Sequence, residues 1–218
     1  MARAASHTWS TRSISSPRPS MRVLDKEHTG AIVLVGHSRY EFRTKYMMTL
    51  RPFSINDAGT ILSWCKDKHA FRLWSADRYK DFPAQPEEMM EQYEGDNMYP
   101  LTAVVGDERL RVGEQNSGMI IGHILLRFPS EDKSIIRFGF IIVDDSKRGK
   151  GYGKQMLRLA IDYAQRELGA QKITLGVFCA NLSAVECYKS VGFRITGMDT
   201  YSIDGEEWKG LEMELTVV

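Results

Sequence analysis

The segment "VDDSKRGKGYGKQML" (143–157) sets three glycines among basic residues directly after the apolar run "IIRFGFIIV" (135–143). Glycine loses more freedom on ordering than any other residue. Three glycines so close together imply either a loose loop or a backbone that something approaches closely. Order resumes at once, because Met156, Leu157, Ala160, Ile161, Ala164 and Leu168 recur at helical spacing and Gly169 stands at a helix stop. The glycines therefore join a buried strand to a long helix beginning near Gly153. Such a junction can turn several backbone N–H groups, and the positive end of the helix dipole, toward one anion. A nucleotide P-loop is excluded: Gly149 and Gly153 are only three residues apart, and Gln155 stands where Ser or Thr would hold magnesium. The dinucleotide pattern G-x-G-x-x-G also fails on spacing. What remains is R-x-x-G-x-G, formed by Arg148, Gly151 and Gly153, with Gly149, Lys150, Tyr152 and Lys154 completing the loop. Its natural ligand is a pyrophosphate.

The flanking pattern predicts a mixed sheet. "MMTLRPF" (47–53) reads as a first strand, and Ser54 with Asp57 makes a helix-start signature. A second helix opens at "QPEEMMEQY", with Pro86 suited to its first position. Between these helices lies an aromatic-rich segment holding Phe71, Trp74, Tyr79 and Phe82. "LTAVV" (101–105), "GMIIGHILLRF" (118–128) and "IIRFGFIIV" (135–143) follow as antiparallel strands joined by hairpins. After the long helix, "KITLGVF" (172–178) is a strand parallel to 135–143, because strand–helix–strand order requires it. A short helix spans about Ser183 to Ser190, and "FRITGMDTYSI" with "EEWKGLEMELTV" closes the chain as a hairpin around "IDGE". The class is α+β.

The segment "NLSAVECYKSVGF" (181–193) follows the parallel strand. Taken with "RGKGYG", it resembles the GCN5-related N-acetyltransferase (GNAT) superfamily over about residues 48–216. The resemblance implies a mostly antiparallel sheet, flanked by helices, with a splayed parallel pair at its centre. It also implies acetyl-coenzyme A as co-substrate and no metal. By position, Phe140, Ile141, Ile142 and Val143 would offer main-chain groups to the cofactor's pantetheine arm. The loop Arg148–Lys154 would hold the pyrophosphate, Asn181 would bond the arm, and Tyr188 would sit near the thioester sulfur. Splaying has a physical counterpart, since a parallel pair that fails to close leaves backbone N–H and C=O groups that a ligand rich in amides can satisfy.

The implied reaction is direct transfer of an acetyl group to a primary amine in a ternary complex. A main-chain N–H around Ile142 is the candidate for stabilising the oxyanion. Tyr188 is the candidate general acid for the departing thiolate, although a helical tyrosine is more often core. Several family members carry a glutamate on the strand before the loop; Arg137 takes that position here and cannot act as a base. Glu131, Asp132, Glu206, Glu207 and His123 are the remaining candidates, and the base stays unassigned. Arg72, Arg78 and Arg137 are candidates for an acceptor carboxylate. The acceptor, a small amine or a protein amine, is open, as is homodimerisation. The rival to an enzyme is a catalytically silent module that binds the cofactor as a sensor or scaffold.

Composition bounds the rest. A formal net charge of +1 in 218 residues argues against a nucleic-acid binder that works by bulk charge. No apolar run approaches the length that spans a bilayer. Three cysteines with no Cys-x-x-Cys point to a reducing compartment, such as the cytoplasm, and to neither disulfides nor zinc. Residues 1–46 carry eight Lys/Arg against three Asp/Glu, leaving 21 against 25 in the remainder. This Ser- and Arg-rich leader has the composition of an organelle transit peptide; an upstream extension before Met47 is the simpler alternative. It is expected to be poorly ordered, with residues 47–218 forming the acetyltransferase domain.

Overall fold

The computed structural model describes residues 46–107 and 118–217. The leader therefore lies outside the described residues, apart from Tyr46, which opens the first strand. In chain order the elements are β1 (Tyr46–Pro52), α1 (Ile55–Leu62), α2 (Lys68–Ser75), α3 (Pro86–Glu91), β2 (Met98–Asp107), β3 (Met119–Arg127), β4 (Ile135–Val143), α4 (Tyr152–Arg166), β5 (Lys172–Phe178), α5 (Leu182–Lys189), β6 (Arg194–Ile203) and β7 (Glu206–Thr216). A single 3-10 turn, Asp145–Lys147, precedes α4.

The strands form one sheet in the order β1-β2-β3-β4-β5-β7-β6. Only β4 and β5 are parallel; every other neighbouring pair is antiparallel. The mixed, mostly antiparallel sheet follows from the sequence pattern. The closing hairpin turns at Asp204 and Gly205, both with positive φ (51° and 83°), the geometry a two-residue turn requires.

One helix departs from the sequence expectation. The stretch between α1 and α3 contains α2, started by Asp67, whose side chain accepts the Ala70 N–H at 2.7 Å. The capping signal was present, but the density of aromatic residues obscured it. The predicted cap of α1 forms as read, with Asp57 accepting the Ser54 N–H at 3.0 Å.

Two apolar clusters hold the molecule together. One lies between the sheet and α4 and includes Leu126, Ile136, Met156, Leu157 and Ile173. The other packs α1, α2 and α3 on the opposite face through Ile61, Phe71, Tyr79 and Met89. Gly122 on β3 brings α4 close: a Cβ there would meet Met156 Sδ at 2.7 Å. That approach seats the first turns of α4 against β3.

Candidate functional site

The site begins with a fault in the sheet. β4 pairs with β5 only from Ile135–Lys172 to Phe138–Leu175. Beyond Phe138, β5 continues beside β7, as far as Phe178–Gly210, and β4 continues beside β3. On the β3 side, Leu125 faces Gly139 but His123 faces Ile142, so β4 carries one residue more than its partner. Phe140 takes up the difference with φ of 48°, a bulge that bends the strand away. Its ring is anchored edge-on against Trp74 at 5.5 Å and Tyr93 at 5.8 Å. Residues 139–143 consequently have no strand partner on their β5 side.

The glycine loop lies at the end of this open edge. Gly149 and Gly151 adopt positive φ (75° and 82°), whereas Gly153 already belongs to α4. Among the described residues, no backbone amide from Arg148 through Lys154 donates to a protein acceptor; the first bond of the helix runs from the Gln155 N–H to the Gly151 carbonyl at 3.1 Å. A run of unpaired donors at a helix start is a site for an anion.

Two cavities flank the open strand. The first, of about 430 Å³, runs from the glycine loop along β4 to α5. It brings together Ile141, Ile142, Val143, Arg148, Gly149, Gly151, Tyr152, Gly153, Lys154, Asn181 and Tyr188. Lys150, predicted with them, is exposed and does not line it. Lys147, Trp74 and Cys187 line it without having been singled out for the cofactor side; only the observed position of α2 reveals Trp74. Burial raises the Cys187 thiol above its ordinary pKa, opposed in part by Lys154, so it remains a thiol.

The second cavity, of about 360 Å³, lies beyond Phe140 between α2, β4, β5 and the closing hairpin. Leu73, Trp74, Ile141, Asn181 and Tyr188 line both. The cavities therefore meet where α2, the splayed strand, the α5 cap Asn181 and Tyr188 come together. Asn181 caps α5, its Oδ1 accepting the Ala184 N–H at 3.3 Å, and its side-chain NH₂ makes no bond with the described residues. Tyr188 is 6 % exposed. Burial, with Cys187 adding to it, pushes its hydroxyl well above the ordinary phenol pKa, so it stays protonated at neutral pH.

Among the described residues, no Asp, Glu or His lines either cavity. His123 is fully buried, shares a 2.6 Å hydrogen bond with the Tyr93 hydroxyl, and is pushed by burial down to about 3; it is structural. Asp132 accepts from Ser134 at 2.9 Å on an exposed turn, and Glu131, Glu206 and Glu207 are likewise exposed. Arg72 is not available to an acceptor. Its guanidinium donates to Asp204 at 2.9 and 3.1 Å and to the carbonyls of Ala76, Tyr79 and Lys80. Arg78 and Arg137 do line the second cavity, joined by Arg127, which the sequence did not single out. Arg137 crosses β5 to reach Glu212 on β7 at 2.7 and 2.8 Å. It passes over Gly176, where a Cβ would lie 2.8 Å from Nη2.

Comparison with known proteins agrees with this geometry. The family model described as "Acetyltransferase (GNAT) family" matches residues 68–193. The chain belongs to that family. The match spans α2 through α5 and so contains both cavities' shared wall. An uncharacterised N-acetyltransferase of Bacillus subtilis (strain 168), YycN, is 40% identical over 68 residues, covering 31% of this chain and 41% of its own. Streptothricin acetyltransferase of Streptomyces lavendulae is 37% identical over 70 residues, covering 32% and 36%. The chain thus matches about two fifths of the length of these curated relatives. Spermidine N-acetyltransferase from Vibrio cholerae, solved in complex with CoA and spermine, superposes with a TM-score of 0.61 at 23% identity, covering 78% of this chain and 95% of that one. That likeness confirms the GNAT fold. Among the described residues, no helix is long and apolar enough to cross a membrane.

Proposed function

We propose that the protein is an acetyl-CoA-dependent N-acetyltransferase that moves the acetyl group directly to a primary amine. The observation that carries this is the meeting of two cavities at an open strand edge, one of them lined by six residues of the glycine loop whose amides have no protein acceptor among the described residues. The donor set fits the donor substrate. The amides of 148–154, with Arg148 and Lys154, would hold the diphosphate, and the free edge of 139–143 would pair with the amides of the pantetheine arm, assisted by Asn181. A thioester placed there supplies the electrophilic carbonyl.

The chain's own groups then do three things. A main-chain N–H near Ile142 donates to the carbonyl oxygen as negative charge develops. Tyr188, held protonated by burial, gives its proton to the sulfur as the carbon–sulfur bond breaks and the carbon–nitrogen bond forms. The proton lost by the amine leaves through solvent and restores the phenol. Cys187 is a half-buried thiol whose pKa is raised, which favours direct transfer over a covalent acyl-enzyme.

Thiol release from acetyl-CoA, measured with a panel of primary amines, tests the proposal. Amine-dependent release with N-acetylated product is the expected result. Cofactor binding with no release for any amine would instead make the protein a silent binding module.

A further inference from the structure

We infer that the acceptor is a small amine that also carries an oxyanion, a carboxylate or a phosphonate, bound by Arg127 and Arg78 in the 360 Å³ cavity. This rests on the acetyltransferase proposal and adds its substrate class. Among the described residues the cavity is lined by three arginines and by no carboxylate. Arg127 and Arg137 are directly opposed on β3 and β4, where antiparallel neighbours share a face and like charges repel. Glu212 is taken up bidentately by Arg137. Arg127 is half-buried and has no acidic partner among the described residues. Arg78 also makes no ion pair there.

Two guanidiniums without a counter-charge around a concave, partly apolar space form a receptor for an anion. A planar guanidinium pairs with two oxygens of one carboxylate or phosphonate. The volume suits a small molecule. The same charges would repel a polyamine, whose ammonium groups would find no carboxylate among the described residues of this cavity.

The arrangement also addresses the missing base. An α-amine titrates near 8 and a lysine-type amine near 10.4 in water. Positive charges close by disfavour the ammonium form, so the arginines that hold the anion also favour the neutral nucleophile. No side-chain base is then required. Gly176 serves this geometry by letting Arg137 lie across β5 to Glu212, which keeps that arginine neutralised and leaves Arg127 to the ligand.

The test is a matched acceptor panel: amino acids with a free carboxylate, their carboxamides, aminoalkylphosphonates and spermidine. Acetyl-CoA affinity is measured by calorimetry on the same preparation. The free acids or the phosphonates are expected to exceed the carboxamides by about tenfold to 100-fold in kcat/KM, the range of a charge-assisted hydrogen bond. The acid and phosphonate arms distinguish the two oxyanions. Arg127→Gln should bring the acid-to-amide ratio toward one with acetyl-CoA affinity retained. Arg78→Gln, on an exposed position, should lower the same ratio without risk to the sheet. Equal use of acid and amide, or a preference for spermidine, would overturn the inference while leaving the acetyltransferase proposal intact. Absence of acetyl-CoA binding would overturn both.

Discussion

Phe138 on β4 lies opposite Leu175 on β5, and theirs is the last pair that these two parallel strands make. One residue further on, at Gly139, the backbone is free on that side; two further on, at Phe140, it bulges. A local fault of a single residue thus opens the sheet into two cavities and gives both of them Tyr188 as a common wall.

Tyr188→Phe keeps the ring and its packing against Phe193 (6.2 Å between centroids) and removes only the proton donor. Turnover should fall while acetyl-CoA affinity holds. Since burial raises the hydroxyl's pKa, the acid is present at every pH below its ordinary value of about 10. The wild-type rate should therefore show no falling limb assignable to this residue between pH 7 and about 10. A descending limb near pH 8 to 9 that Tyr188→Phe abolishes would contradict the raised pKa, and unaltered turnover in Tyr188→Phe would remove the residue from this role.

Gly151 separates backbone strain from charge. A Cβ there meets nothing within 4 Å, but φ is 82°. Gly151→Ala should cost about 1–2 kcal/mol of stability through the left-handed conformation alone, measured by urea unfolding. Gly151→Glu adds a carboxylate beside the unpaired amides and should abolish acetyl-CoA binding where Ala only weakens it. Equal affinities of the two variants would show that no anion binds at this helix start.

His123 predicts an acid-sensitive fold. Its folded pKa is depressed by burial to about 3 from 6.5, so the unfolded chain binds the extra proton between these values. Its contribution to stability is complete above about pH 6.5 and is lost progressively as pH falls toward 3. Thermal unfolding should show the midpoint falling from pH 6.5 to pH 5, a slope that His123→Gln flattens even if it lowers the midpoint throughout. An unchanged slope in the variant would mean that His123 is not the group responsible.

Arg72 ties α2 to the closing hairpin. Arg72→Gln would leave the carbonyls of Ala76, Tyr79 and Lys80 without their donors, a loss of about 2 kcal/mol or more in urea unfolding. A change below about 0.5 kcal/mol, the usual effect at an unremarkable surface position, would show these bonds to be replaceable by water.

Much of this was legible in the chain because it is local. The glycines at 149, 151 and 153 and the helical spacing from Met156 are short-range patterns, and they sufficed to place the loop and α4, while strand–helix–strand order sufficed for the parallel pair. The family resemblance supplied the splaying of β4 from β5, which periodicity alone cannot locate. What was missed depends on register. Arg127 stands opposite Arg137 in the register that the β3–β4 turn sets, on the turn side of the bulge, and Arg137 reaches Glu212 across Gly176 of β5. Arg72 looked like a ligand because nothing in the sequence announces that Asp204, far along the chain, lies beside it.

Amide hydrogen exchange with and without CoA tests the central claim most directly. Saturating CoA should slow exchange in two segments together, 139–143 on β4 and 148–154 in the glycine loop, with little change in the β6–β7 hairpin. Demonstrable CoA binding that leaves both segments unprotected would contradict the account.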